Sequence, residues 1–225
     1  MQREARVASL LSGATSRPGW APRYMYMSAS PSLLPCAAPD RPKTRGPVHH
    51  DRDRVLAKDG SAAAHGAREA DELALLSRIG LTVRSVRATD KSALSALFDR
   101  LSPRSRHYRF LGPQRMLSPG ELENLTDIDH VEREALALVG PDGRFIAVAR
   151  YGPVSGDPHA AEVALTVADE WQGHGIGSAL ASVLITQARR NRIVRLEAMT
   201  LAENYPSRRL LRRLGFTVRG LMEMP

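Results

Sequence analysis

The stretch that most constrains this chain runs from residue 134 to residue 190. Two apolar runs, residues 134–139 and 145–151, flank Gly140-Pro141-Asp142-Gly143. Proline presets φ for a turn and glycine tolerates positive φ, so the pair reads as an antiparallel hairpin. A second turn over residues 152–158 leads into a third strand, residues 162–167. Gln172-Gly173-His174-Gly175-Ile176-Gly177-Ser178 follows, and then a helix with Ile176, Leu180, Val183, Leu184 and Ala188 on one face. Three consecutive antiparallel strands ahead of a glycine loop exclude a doubly wound parallel sheet, in which strands and helices alternate.

The loop itself is an anion cradle in outline. Glycines let the backbone approach a ligand closely, and a helix N-terminus offers free N–H groups with a positive dipole end. A dinucleotide fingerprint would need glycine at position 178, where Ser178 stands, and no Gly-Lys-Ser/Thr of a P-loop occurs. A phosphate-bearing ligand of another class is the reading left.

Around this centre the domain starts near residue 79, with a strand at residues 81–87. Thr89 or Asp90 caps a helix carrying Leu94, Leu97, Phe98 and Leu101. Pro103 opens a second short helix with Tyr108, Phe110 and Leu111 as core candidates, and Ser118-Pro119-Gly120-Glu121 is a capping box for a third. After the loop helix come a strand at residues 193–200, a helix after Asn204 with Leu210, Leu211 and Leu214 inward, and a last strand after Gly215-Phe216.

Residues 1–78 read differently. Pro, Ala, Ser, Gly and Arg dominate with no sustained period, so this stretch is expected to be a disordered extension, with one helix turn or two at residues 67–79. Residues 5–39 lack acids, as a transit peptide would, but Pro18, Pro22, Pro31 and Pro35 interrupt any helix there. His49-His50 with Asp51 and Asp53 reads as a solvated cluster and no metal is expected. The formal charge of +8 is shared evenly between the first 79 residues and the rest. It suits phosphorylated ligands or an acidic partner, and no nucleic-acid signature accompanies it. The single Cys36 excludes an internal disulfide framework and fits a cytoplasmic setting. No apolar run approaches the ~20 residues of a membrane span.

Gln172-x-x-Gly175-x-Gly177 after a strand, with Leu214-Gly215-Phe216 closing a later helix, resembles the GNAT superfamily of acyl-CoA N-acyltransferases. Residues 102–110, Ser118-Pro119-x-Glu121, Leu125-Thr126-Asp127-Ile128-Asp129, Ala161-Glu162-Val163-Ala164, Trp171-Gln172-Gly173 and Leu201-Ala202-Glu203-Asn204 look like the catalytic domain of bacterial protein-lysine acetyltransferases. The resemblance implies an α+β fold: a mixed, mostly antiparallel twisted sheet with flanking helices and a V-shaped splay between the fourth and fifth strands. It implies acetyl-CoA as co-substrate, with the backbone amides of Gln172, Gly173, His174, Gly175, Ile176, Gly177 and Ser178 around its pyrophosphate. Backbone groups of Leu165, Thr166 and Val167 would hold the thioester end, and Asn204 is either a cofactor contact or a helix cap.

Acyl transfer to an amine needs a neutral nitrogen, and a free lysine with pKa about 10.4 supplies on the order of one in a thousand at pH 7. Glu162, in the apolar run Glu162-Val163-Ala164-Leu165-Thr166-Val167, is the candidate general base, the plainer alternative being a solvent-facing rim carboxylate. Strand alternation puts Glu162, Ala164 and Thr166 on one face and Val163, Leu165 and Val167 on the other. Two departures from the family stand out. Leu211 occupies the place of a tyrosine that protonates the departing thiolate in many members. The chain is also short of the family's last strand, so that either the final strand pairs differently or a second copy, in a homodimer, completes the sheet. The acceptor is a protein lysine, a small amine or, for a non-catalytic acyl-CoA-binding module, nothing.

Overall fold

The computed structural model describes residues 23–29 and 62–223. Strand β1 is Arg23–Ala29; α1 is Ala62–Arg78; β2 is Thr82–Ser85; α2, α3 and α4 are Lys91–Asp99, Pro103–Phe110 and Pro119–Thr126. Then follow β3 (Glu134–Val139), β4 (Phe145–Val154), β5 (Asp157–Val167), α5 (Ile176–Arg190), β6 (Arg195–Leu201), α6 (Tyr205–Arg213) and β7 (Thr217–Glu223). The strands form one sheet in the order β2-β3-β4-β5-β6-β1-β7. Every pairing is antiparallel except β5 with β6.

Local chemistry accounts for the elements nearest the centre. Gly143, at φ 77°, closes the β3–β4 hairpin with its N–H on the Gly140 carbonyl. Ser118 accepts from the Glu121 N–H while the Glu121 carboxylate takes the Ser118 N–H, a complete capping box at the start of α4. Asp90 does not cap α2 with its side chain. It is turned back onto Arg84 in a two-pronged ion pair (2.7 and 2.9 Å) and onto the Arg87 N–H, and these hold its carboxyl below the usual range.

The sheet is covered on both faces. On one, Leu136, Leu138, Ala149, Tyr151 and Ala161 meet Ile176, Leu180, Val183 and Leu184 of α5 and Leu76 of α1. On the other, Ala135, Ala137 and Val148 meet Leu94 and Leu97 of α2. Burying such side chains supplies about 1.5–3 kcal/mol each, and this is what fixes strand register. β5 follows the expected alternation. Val163, Leu165 and Val167 pack on the α5 side, and Thr166 lines a cavity against α2 and α3.

Two corrections concern the N-terminal residues. Arg23–Ala29, expected to be structureless, is a strand between β6 and β7. Its alternation of Tyr and Met carries no apolar–polar contrast, so its period is invisible until both neighbouring strands are placed. The last strand therefore pairs with a segment of its own chain, the first of the two routes left open above. The helix expected over one or two turns is α1, 17 residues long. It ends in a Schellman motif: Gly80 at φ 76°, Leu81 N–H on the Leu76 carbonyl and Gly80 N–H on the Ser77 carbonyl. Packing of Leu76 into the core extends it beyond what its own stripe predicts. Residues 1–22 and 30–61, with Cys36 and the His49-His50 cluster, lie outside the described residues.

Candidate active site

The site is built where the sheet forks. β5 and β6 pair in parallel over three rungs, Ala160 with Arg195, Ala161 with Leu196 and Glu162 with Glu197. β5 then runs on to Val167 and β6 to Leu201 with no further pairing between them. A V-shaped gap thus opens immediately past Glu162. One backbone edge of β5 is held by β4, Leu165 opposite Ala149 and Val167 opposite Ala147, while the other faces the gap.

At the closed end, Glu162 keeps part of its side chain exposed while the surrounding protein removes water from the rest. That burial is the largest influence on its carboxyl and raises the pKa; the Arg109 charge opposes the rise and Glu197 adds to it. Glu197 is nearly buried and accepts from Arg195 Nε at 2.8 Å, and Arg195 also reaches Asp157 at 2.8 Å. Arg109, on α3, is pushed below its ordinary range by burial, with Glu162 pulling the other way.

At the open end stands the glycine loop. Gly173 and Gly175 both take φ 81°, a conformation L side chains rarely adopt. Gly177 is needed for a different reason: a Cβ there would lie 3.2 Å from Leu165 Cδ2 and 3.5 Å from Val167 Cγ2. It lets α5 settle directly onto β5. Among the described residues, no backbone hydrogen bond engages the N–H groups of residues 173–177. Five successive donors at a helix start are thus available to an anion such as a pyrophosphate.

Several of the predicted contact residues also have structural roles. The Ser178 N–H is spent on the Gly175 carbonyl, and Ile176 buries its side chain in the core. Gln172 donates through Nε2 to the Val167 carbonyl (3.0 Å) and to Asp169 Oδ1 (2.8 Å). Asn204 is buried, and its Oδ1 accepts from the Ser207 N–H at 3.2 Å, the cap of α6. His174 is exposed on the loop.

The knot around Asp169 was not anticipated. Its carboxylate accepts from the Ser102 N–H (2.6 Å), the Ser105 hydroxyl and Gln172. Burial works against that charge, but the hydrogen bonds together hold its pKa below the usual range. This ties the N-terminus of α3, and so Arg109, to the glycine loop. Arg150 and Glu197 were missed as well, although Arg150 carries the same signal as Glu162, a lone charge inside an apolar run.

With this geometry in place, comparison with known proteins gives the family. The family model for the acetyltransferase (GNAT) family matches residues 102–216. The chain belongs to that family of acyl-CoA-dependent N-acetyltransferases. It is 37% identical over 137 residues to acetyltransferase PA5475 of Pseudomonas aeruginosa, a match covering 60% of this chain and 73% of that protein. It is 35% identical over 109 residues to acetyltransferase Pat of Mycolicibacterium smegmatis, covering 48% of this chain but only 33% of the relative. The crystal structure of the GNAT domain of S. lividans PAT superposes with a TM-score of 0.58 at 30% identity, over 63% of this chain and 89% of that domain. Among the described residues no helix is long and apolar enough to cross a membrane.

Proposed function

We propose that the chain acetylates a primary amine, a protein lysine side chain, by direct attack on acetyl-CoA with Glu162 as general base. The observation that carries this is the position of Glu162 on the last parallel rung, where the sheet opens. Acetyl-CoA supplies the acetyl group as an activated thioester. The free N–H groups of residues 173–177 suit its pyrophosphate, and the unpaired edge of β5 over Leu165, Thr166 and Val167 offers backbone donors to an oxyanion. Glu162 takes the proton from the ammonium or from the attacking nitrogen, directly or through one water; the new C–N bond replaces the thioester C–S bond, and the coenzyme A thiolate leaves and takes its proton from water. Its raised pKa brings the carboxylate closer to the working pH and makes it a stronger proton acceptor. Asn204 is retained as a contact from the end of β6 in addition to its capping bond.

Protein lysine as acceptor is supported by the likeness to Pat and to the PAT domain, together with the resemblance seen over residues 102–129. A cytoplasmic setting accords with that acceptor. The test has two parts. Mass spectrometry of a lysate incubated with acetyl-CoA, with and without the enzyme, is expected to show new acetyl-lysines. Glu162→Gln is expected to lower kcat at neutral pH by roughly 10²- to 10⁴-fold while coenzyme A still binds. Full turnover by Glu162→Gln would remove the base from the mechanism.

A further inference from the structure

We propose that Arg109 and Arg150 form the receptor for a carboxylate that the acceptor carries close to its amine. The inference rests on the acetyl-transfer reading of the fork and adds a specificity element to it.

Arg150 lies in the middle of β4, opposite Ala164 on β5 and Ala135 on β3. It therefore shares the sheet face of Glu162, which stands two residues along β5 from Ala164. Its cross-strand partners are alanines, which offer its guanidinium no hydrogen-bonding side chain. Arg109 approaches the same place from α3. Among the described residues neither guanidinium has a hydrogen bond or an ion pair, although each carries up to five donors. Arg109 lies over the Phe110 ring at 4.9 Å from its centroid. Nearby Arg133 turns instead to the Asn124 carbonyl.

The two arginines open onto one cavity, whose other lining includes Leu97, Phe98, Val148 and Thr166 and no acidic residue. The cavity is small, about 30 Å³, with room for roughly one water-sized group. Two half-buried cations against an apolar wall repel each other and have lost much of their hydration. Arg150 shows the strain: burial first, then Arg109 and Arg133, bring its pKa down to about 9. Glu162 is the one acid whose charge Arg109 feels, and the reaction needs it for the proton. What the cluster lacks is a second carboxylate. A guanidinium fork binds that group through two parallel charge-assisted bonds, which a lysine could not reproduce.

The carboxylate could come from an acidic residue beside the target lysine or from the α-carboxyl of a small amino acid. The two sources separate in one experiment. With acetyl-CoA held saturating, kcat/KM is measured for free L-amino acids against their α-carboxamides, and for lysine peptides flanked by Asp or Glu against the same peptides with Asn or Gln. The carboxamide has the less basic amine and the larger neutral fraction, so a preference for the acid does not arise from amine basicity. One arm is expected to favour the carboxylate member by about tenfold or more, and that arm identifies the source. Arg150→Gln is expected to lower this preference ratio by a similar factor, through KM, and Arg150→Lys to restore part of it. Because Arg150 has no protein partner, its loss is expected to leave the melting temperature undiminished.

Equal kcat/KM within both pairs, or an Arg150→Gln loss that leaves the ratio unchanged, overturns the proposal. If no amine is acetylated, the acetyl-transfer reading has failed, and the receptor is still read by thermal shift. A free amino acid or acidic peptide then raises the melting temperature more than its amide does, and does so less in Arg150→Gln. No such difference overturns the receptor as well.

Discussion

Two charges stand alone in apolar stretches of strand, Arg150 and Glu162, and a third, Glu197, is paired with Arg195 two residues before it. A buried strand has few reasons to keep a charge, since each costs hydration. All three, with Arg109, converge on the closed end of the fork. The balance among them sets where the base titrates, and it gives a signed prediction. Glu162 must be ionised to accept a proton, so kcat/KM falls as pH drops through its pKa. Glu197 raises that pKa by like-charge repulsion and Arg109 lowers it by attraction. Glu197→Gln is therefore expected to move the acid limb of the pH–kcat/KM profile to lower pH, and Arg109→Gln to move it to higher pH, whatever either does to the plateau. Shifts of the same sign, or an immobile limb, would show that another group controls it.

At the scale of elements, the β3–β4 hairpin, the capping box of α4 and the glycine loop were legible because each is set by residues within a few positions of one another. The fork was expected only through the family resemblance, and the Asp169 knot and the Arg109–Arg150 pair not at all. Ser102 meets Asp169 across 67 positions, and no local pattern records that encounter. The loop glycines divide by cause, and so should their variants. Gly175→Ala meets no atom within 4 Å but must hold φ 81°. It is expected to cost about 1–2 kcal/mol and to weaken coenzyme A binding in calorimetry, because the five free N–H groups are realigned. Gly177→Val has ordinary backbone angles but drives a branched side chain into Leu165 and Val167. It is expected to destabilise the whole fold by about 1–3 kcal/mol in denaturant unfolding, as overpacking does. Equal effects of the two on binding and on stability would mean that the glycines share one role.

At the scale of the whole molecule, the sheet depends on its most distant strand. β1 pairs on one side with β6, Met25 opposite Thr200 and Ser28 opposite Glu197, and on the other with β7, Met25 opposite Leu221. Among the described strands, β7 joins the sheet only through β1. The strand bearing Glu197 thus has β5 on one edge at the fork and β1 on the other, so β1 braces the wall of the site from behind. Removing residues 1–61 strips one edge of β6 and leaves β7 without a partner. In hydrogen exchange, amides of residues 196–201 and 217–223 are expected to lose protection together, while those of β3 and β4 keep theirs. Met25→Pro asks the same question without shortening the chain, since proline removes a ladder donor and is not accommodated in an inner strand. It is expected to cost about 1–3 kcal/mol, or roughly 5 °C in melting temperature. If β7 amides remain protected in both variants, β1 is not what holds the last strand, and the brace behind Glu197 must come from elsewhere.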